Sequence, residues 1–372
     1  MANSKLTNAK NAKNDEFYTQ YNDIEKEIGA YLDYDPNVFK GKVVYCNCDD
    51  PYESNFFRYF AGNFNALGLK KLITTSYVGS PITQTSLQFP DFDSDATPQK
   101  NRKPYKIEIN EVKDLTKDGV INLDDVKQLL KHDKNVTTIL KGDEQYRPGD
   151  FRSQECIQLL KQADIVATNP PFSLFREYVE QLVDHNKKFV IIGSMNAITY
   201  KEIFPLIKDN KMWLGNGFNA GNAYFSTPNA NQYGGGVYMP ETGLVKFRNV
   251  NWFTNIDHGR RHQPLTLMTM SENLKFNKKL KGKTQYDKYD NYDAIEVPFT
   301  VAIPSDYSGV MGVPISFLDK YNPDQFEIVG WSRHNAYNMD GGYWLGGKSD
   351  ATIDGIEVYR RILIKHKKGS KS

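Results

Sequence analysis

The sequence predicts an α/β fold built on a doubly wound, mostly parallel sheet, followed by a C-terminal region of different construction. Two observations carry this. Between residues 42 and 208 short apolar runs of strand length alternate with segments of helical periodicity, the spacing of successive βαβ units. After about residue 210 Gly-, Asn- and aromatic-rich stretches take over, and from 256 the alternation stops.

Residues 1–14 are polar and read as a flexible arm. Residues 23–32 have the periodicity of a short amphipathic helix. A first buried strand follows at 42–46, and then a helix at 54–60 with Ser54 at the N-cap position. Residues 71–77 form a second strand. Residues 79–104 are polar and carry Pro81, Pro90, Pro98 and Pro104, and so read as an inserted loop. Strands at 105–109 and 136–140 enclose a helix at 123–132. Beyond them come a helix at 151–160, a strand at 165–168, a helix at 172–183, a strand at 189–192 and a helix at 200–208. Residues 252–255 are again strand-like. Ligands of such sheets bind outside the carboxyl ends of the strands, and the most informative motifs stand there.

A chain of 372 residues with 39% hydrophobic and 25% charged residues can bury a large core. Its longest apolar runs are too short to cross a bilayer, and Met1 leads into a polar segment without the apolar core of a secretory signal, so a cytoplasmic protein is expected. Cys46, Cys48 and Cys156 lack zinc-site spacing and read as reduced thiols. The net charge of +2 says little about partners; its distribution says more. Lys275, Lys278, Lys279, Lys281 and Lys283 stand between Glu272 and Asp287 with no acid among them, and the last fourteen residues carry Arg360, Arg361, Lys365, Lys367, Lys368 and Lys371. Such clusters suit phosphate contacts, although a basic run also serves as a solvated face.

Asn169-Pro170-Pro171-Phe172 directly follows the apolar run 163–168. The exocyclic amine of adenine or cytosine is a poor nucleophile because its lone pair is delocalised into the ring. Two acceptors aimed at its two N–H groups draw the nitrogen toward tetrahedral geometry and localise that pair. The Asn169 side-chain oxygen is one such acceptor and the Pro170 carbonyl the other. Consecutive prolines fix φ and keep the preceding residue extended, so this carbonyl cannot turn into a helix. Phe172 offers a flat face for a planar base. The same tetrapeptide also suits a plain proline turn that packs an aromatic.

Three further loops are consistent with a nucleoside cofactor. Asn47-Cys48-Asp49-Asp50-Pro51 puts acidic acceptors after the first strand, in reach of ribose hydroxyls, or else forms a solvated turn. It is not a Gly-x-Gly cradle, which a cofactor without phosphates does not need. In Gly149-Asp150-Phe151 the carboxylate can accept from an adenine amino group beside the Phe151 ring, or can cap a helix. Asp15-Glu16-Phe17-Tyr18-Thr19-Gln20 precedes the first helix and can fold over a cofactor or form a capped turn.

In this order of motifs the chain resembles the amino-methyltransferases that use S-adenosylmethionine. More closely, it resembles the EcoRI modification methylase family of adenine-specific DNA methyltransferases. The similar stretches are 15–21 (DEFYTQY), 42–51 (KVVYCNCDDP), 54–57 (SNFF), 67–73 (LGLKKLI), 149–153 (GDFRS), 164–175 (DIVATNPPFSLF), 198–202 (ITYKE) and 213–215 (WLG). Later come 286–295 (YDKYDNYDAI), 306–315 (DYSGVMGVPI) and 359–365 (YRRILIK), so the resemblance spans nearly the whole chain and is weak only across 79–104 and 216–241.

The resemblance implies a Rossmann-like methyltransferase domain at 15–255, with the insert at about 79–104, and a DNA target-recognition region at 256–372. It implies that Asn169, Pro170, Pro171 and Phe172 form the catalytic loop. Phe17, Tyr18, Thr19, Asp49, Asp50, Pro51, Asp150 and Phe151 would line the cofactor pocket, with the choice between Asp49 and Asp50 open. Phe253 would stack on the target base together with Phe172, and Lys275, Lys278, Lys279, Arg360 and Arg361 would contact DNA. The expected activity is transfer of a methyl group from S-adenosyl-L-methionine to N6 of a flipped adenine in double-stranded DNA. No metal is required for it, and a monomer is expected. The implied target is GAATTC, with or without a separate cognate restriction endonuclease. An RNA or protein amide methyltransferase with the same loop and an inactive DNA-binding relative are the rival readings.

Overall fold

The computed structural model describes residues 17–48, 54–77, 104–132, 137–227, 230–334 and 339–367. The arm at 1–14, most of the insert at 79–104, and Asp49, Asp50 and Pro51 lie outside them. Contacts divide the chain into two units, Met1–Ala197 with Gly215–Ile256, and Ile198–Leu214 with Asp257–Ser372.

The first unit holds seven strands of a mixed sheet. They are β1 (Val43–Cys46), β2 (Lys71–Thr75), β3 (Tyr105–Ile109), β4 (Thr137–Ile139), β5 (Ile165–Thr168), β6 (Lys188–Ser194) and β7 (Val250–Thr254), in the order β4-β3-β2-β1-β5-β6-β7. The centre, β2-β1-β5-β6, is parallel. The pairs β4–β3, β3–β2 and β6–β7 are antiparallel. The sheet expected to be mostly parallel is therefore parallel only in the middle. The reason lies in burial: β1 and β5 are buried at every position, as central parallel strands must be, whereas β3 buries only alternate residues. Its outward Lys106 and Glu108 pair at 2.7 Å, and Lys71 of β2 joins Glu108 at 3.3 Å.

Helices α1 (Tyr21–Tyr34), α2 (Asn55–Gly62), α3 (Leu123–His132), α4 (Gln154–Gln162) and α5 (Phe175–Asp184) stand where the periodicity places them. Ser54 caps α2 by accepting from the Phe57 amide at 3.4 Å. Ser153 caps α4 by accepting from the Cys156 amide at 3.3 Å, so this helix starts at Gln154 and leaves Asp150 and Phe151 in the loop before it. One face of α1 buries Ile24, Ile28 and Tyr31 together with a carboxylate, Glu27. Glu27 accepts from the Tyr31 hydroxyl at 2.5 Å and from the amides of Asn216 and Gly217 at 2.9 and 3.1 Å. These bonds satisfy a charge that burial would otherwise penalise.

The first unit also contains a small antiparallel sheet, in the order Tyr18–Thr19, Ala223–Ser226, Leu244–Phe247, Tyr238–Met239. The second unit is built on a four-stranded sheet ordered Ile295–Glu296, Met311–Val313, Ile362–His366, Phe326–Trp331, its first pair parallel and the others antiparallel. Phe204 stacks on Trp331 in its core at 5.5 Å. No helix among the described residues is long and apolar enough to cross a membrane.

Candidate active site

The catalytic candidate sits at the carboxyl end of β5. The Thr168 hydroxyl donates to the Asn47 carbonyl just beyond β1, which joins the two strand ends. Pro171 is extended at φ −57° and ψ 123°, and its carbonyl accepts from Leu174 at 3.0 Å, so the chain enters a short 3₁₀ turn, Phe172–Leu174, before α5. Asn169 is buried. Its Nδ2 donates to the Phe17 carbonyl at 2.5 Å, and its Oδ1, also buried, has no partner. No donor among the described residues bonds the Pro170 carbonyl. Buried polar groups are nearly always paired, so an acceptor held in place and left unpaired can take a donor from outside the chain.

Aromatic rings close around this spot. Phe172 is half-buried and stacks against Phe17 with centroids 6.1 Å apart and planes at 26°. Phe17 in turn meets Phe225 at 5.9 Å, Tyr233 at 6.1 Å and Phe247 at 5.1 Å. The small sheet supplies Phe225 and Phe247, and Tyr233 follows the turn Ala230–Gln232 between its strands; Tyr18 and Thr19 pair with Ser226 and Phe225 in that sheet. The cage therefore draws on 223–247, largely the stretch where the resemblance is weak, and the only signal in the sequence is its aromatic content. Thr19 is 1% exposed, and its hydroxyl too has no partner.

The Asp-Phe loop lies beside the ends of β1 and β2. Gly149 has φ +81°, and a Cβ there would stand 2.0 Å from the Ser76 carbonyl oxygen just beyond β2, so only glycine permits this approach. Phe151 lies edge-on to Tyr178 of α5 at 4.9 Å. The Tyr178 hydroxyl donates to Asn47 Oδ1 at 2.5 Å, and burial pushes that phenol well above its ordinary pKa, so it remains a neutral donor. One tyrosine thus ties the loop after β1, the Asp-Phe loop and the helix leaving the catalytic loop. Asp150 is held by Arg152: Oδ1 accepts from the Arg152 amide and Nε, both at 3.0 Å, and Oδ2 accepts from Nη2 at 2.9 Å. These bonds hold the guanidinium above its ordinary pKa. A carboxylate has about four acceptor positions, so one on Oδ2 stays open. Neither Arg152, Tyr178 nor Asn47 was singled out from the sequence; Tyr178 and Asn47 meet across 131 residues, and Arg152 acts on Asp150, two positions before it.

Other expected residues lie elsewhere. Asp49, Asp50 and Pro51 fall outside the described residues. Phe253 is a correction: it is fully buried in β7 and packs on Phe175 at 5.1 Å, so it has no free face for a base. Phe175 lies where a Cβ on Gly193 of β6 would stand, 2.4 Å from the ring. In the second unit Lys275, Lys278 and Lys279 are exposed. Arg360 is exposed as well and reaches Asp350 at 3.3 Å. Arg361 is the other correction. It lies against buried Glu296, with Nη2 to Oε1 at 2.6 Å and Nε to the two oxygens at 2.9 and 3.2 Å, an internal pair that commits two of its three nitrogens within the fold. Among the described residues no group of three or more His, Cys, Asp or Glu could hold a metal ion.

A family model described as adenine-specific methyltransferase EcoRI matches residues 5–367. The type II methyltransferase M.EcoRI of Escherichia coli is 44% identical over 369 residues, covering 98% of this chain and 97% of its own length. M.MpnI of Mycoplasma pneumoniae is 34% identical, covering 96% and 97%. M.MgeORF184P of Mycoplasma genitalium is 36% identical over 330 residues, covering 86% and 84%. No solved structure matches the chain. With a family model spanning nearly every residue and full-length relatives at this identity, the chain belongs to the EcoRI family of adenine-specific DNA methyltransferases.

Proposed function

We propose that the chain methylates N6 of an adenine flipped out of duplex DNA, with Asn169, Pro170 and Phe172 meeting the base and S-adenosylmethionine as the methyl donor. The observation that carries this reading is the buried, unpaired Asn169 Oδ1 beside the half-buried Phe172 ring. Flipping costs a few kcal/mol in lost stacking. Stacking on Phe172, worth roughly 1–3 kcal/mol per base, offsets much of that. Oδ1 and the Pro170 carbonyl then accept hydrogen bonds from the two amine N–H groups. Both bonds strengthen as the nitrogen pyramidalises, so they favour the transition state over the ground state. Fixing Nδ2 on the Phe17 carbonyl means that Oδ1 need not reorient when the base arrives.

The residues fit such a donor. The open position on Asp150 Oδ2 suits an adenine amino group, Phe151 flanks it, and the unpaired Thr19 hydroxyl offers a further polar contact. When bound, S-adenosylmethionine supplies a methyl group already activated on a sulfonium. Phe17, Tyr18 and, after β1, Asp49 or Asp50 complete the pocket on this reading. Residues 256–372 are assigned target recognition, with Lys275, Lys278, Lys279 and Arg360 on phosphates. The setting is the cytoplasm, as the modification partner of a restriction endonuclease or as an orphan enzyme.

Methyl transfer from labelled S-adenosylmethionine to duplex DNA, RNA and protein in parallel tests the proposal. Label in DNA alone, as N6-methyladenine, is expected; label in RNA or protein alone would overturn it. Sequencing that detects modified adenines, after expression in an unmethylated host, gives the target and tests GAATTC.

A further inference from the structure

The second unit carries an exposed apolar patch inside its lysine run. The helix Met270–Phe276 starts at a capping box formed by Thr269 and Glu272 and ends at Phe276, which is 62% exposed. Buried Asn277 donates to Asn273 Oδ1 at 3.1 Å and to the Val301 carbonyl at 3.3 Å, which fastens the turn Thr300–Ala302 beside the helix end. Tyr286 holds the same turn from below, its hydroxyl 2.7 Å from the Ala302 carbonyl. Phe299 and Val301 are thereby left 37% and 53% exposed on that turn. Lys275 Nζ lies 5.0 Å from the Phe276 ring centre and Lys279 Nζ 4.4 Å from that of Phe299. Lys275, Lys278, Lys279 and Lys281 are exposed and pair with no carboxylate among the described residues, while Asp287 holds Lys283. The nearby acids are engaged: Glu272 turns back on the Thr269 amide at 2.8 Å, and Asp306 takes the Met270 amide at 2.7 Å.

Charge decides what this surface fits. A second copy of the same face would bring lysines against lysines. An uncharged apolar partner would strip water from four ammonium groups and return nothing. A duplex satisfies both features, because it presents phosphates at its rims and sugars and base edges between them.

We infer that this face seats on the DNA, with the lysines on phosphates and Phe276 and Phe299 entering a groove as an apolar wedge. The inference rests on the DNA-methylation reading and adds to it a contact that carries no charge. Wedges of this kind loosen base steps and bend the duplex, which would ease extrusion of the target base.

Two variants separate the components: F276A/F299A, and the triple K275Q/K278Q/K279Q. All five side chains are exposed, and unchanged thermal melts would verify the fold. Duplex binding is followed by fluorescence anisotropy across a salt series. The aromatic variant should bind roughly tenfold more weakly or worse, as expected when two apolar contacts to nucleic acid are lost, with its salt slope unchanged. The lysine variant should lose roughly 2.7 units of slope, about 0.9 per phosphate contact. Wild-type affinity in F276A/F299A would overturn the wedge while leaving methylation by the parent enzyme intact. So would wild-type self-association that the aromatic changes abolish. A wild-type protein that neither binds nor methylates duplex DNA would sink the methyltransferase reading and this inference together.

Discussion

Asn169 is anchored by Phe17, a residue 152 positions earlier: its amide nitrogen bonds the Phe17 carbonyl, and the Phe17 ring supports Phe172 from beside. A single residue thus fixes both the acceptor and the stacking face. Asn169→Ala removes the acceptor without disturbing the cage. Turnover should fall by about a hundredfold or more, the effect of losing one preorganised hydrogen bond to a reacting centre. Cofactor affinity should stay within about twofold, since on the proposed reading the pocket is drawn mainly from other loops. Single-turnover methylation and calorimetry measure the two quantities, and near-normal turnover in a folded variant would remove Asn169 from the chemistry.

Asp150→Ala should act on the opposite parameter. It deletes the acceptor position beside Phe151 and leaves Arg152 with Glu177 alone, at 3.0 Å. Losing one hydrogen bond of about 1 kcal/mol raises the cofactor Kd roughly fivefold. Turnover at saturating cofactor should be nearly retained. Unchanged affinity by calorimetry would take Asp150 out of the pocket.

Arg361→Gln should injure stability and spare the electrostatics of DNA binding. Glu296 also accepts from the Tyr289 hydroxyl, and this buried partner cannot replace a cation. Breaking such a pair from one side typically costs about 3–5 kcal/mol. Denaturant titration should show that loss, while the salt slope of DNA affinity stays at the wild-type value. A lowered slope in a fully stable variant would return Arg361 to the phosphates.

The second unit should weaken on mild acidification. His258 is buried, with Nε2 donating to the Leu214 carbonyl at 3.0 Å, and burial holds its pKa below the ordinary 6.5. The unfolded chain therefore takes up the proton near pH 6.5 and the folded unit only at lower pH. The contribution to stability is complete above the unfolded value and is lost as pH falls from there through the folded one. Melting temperatures between pH 7 and pH 5 should drop more in wild type than in His258→Gln. Parallel curves would assign the acid sensitivity to other groups.

Much of this architecture can be read from the chain because the apolar runs are local signals. The bounds 105–109, 123–132 and 165–168 stand unchanged, and Ser54 caps its helix as its type suggests. Strand direction is harder, since an apolar run does not encode which neighbour it meets. The alternation Tyr105-Lys106-Ile107-Glu108-Ile109 does hold the signature of a strand with one wet face. At the site, Asn169 and Phe172 announce themselves through a compact motif. Asn47 and Tyr178 do not, because their roles arise from pairing with each other 131 residues apart. Phe253 and Arg361 mislead for a related reason: an aromatic or a guanidinium has the same letters whether it faces a ligand or a buried partner.

The chain crosses between its units at three points, after Ala197, after Leu214 and after Ile256. Neither unit is thus a continuous stretch of sequence. β7 closes one edge of the first unit's parallel core, pairing with β6, yet it is encoded only after the excursion through 198–214. Glu27, near the start, clasps the backbone at Asn216 and Gly217 where the chain returns. A hybrid enzyme meant to exchange the second unit with that of a relative would therefore have to transplant two segments, 198–214 and everything from 257 onward. A single splice near 256 would graft the second unit without one of its own pieces and leave a foreign one behind.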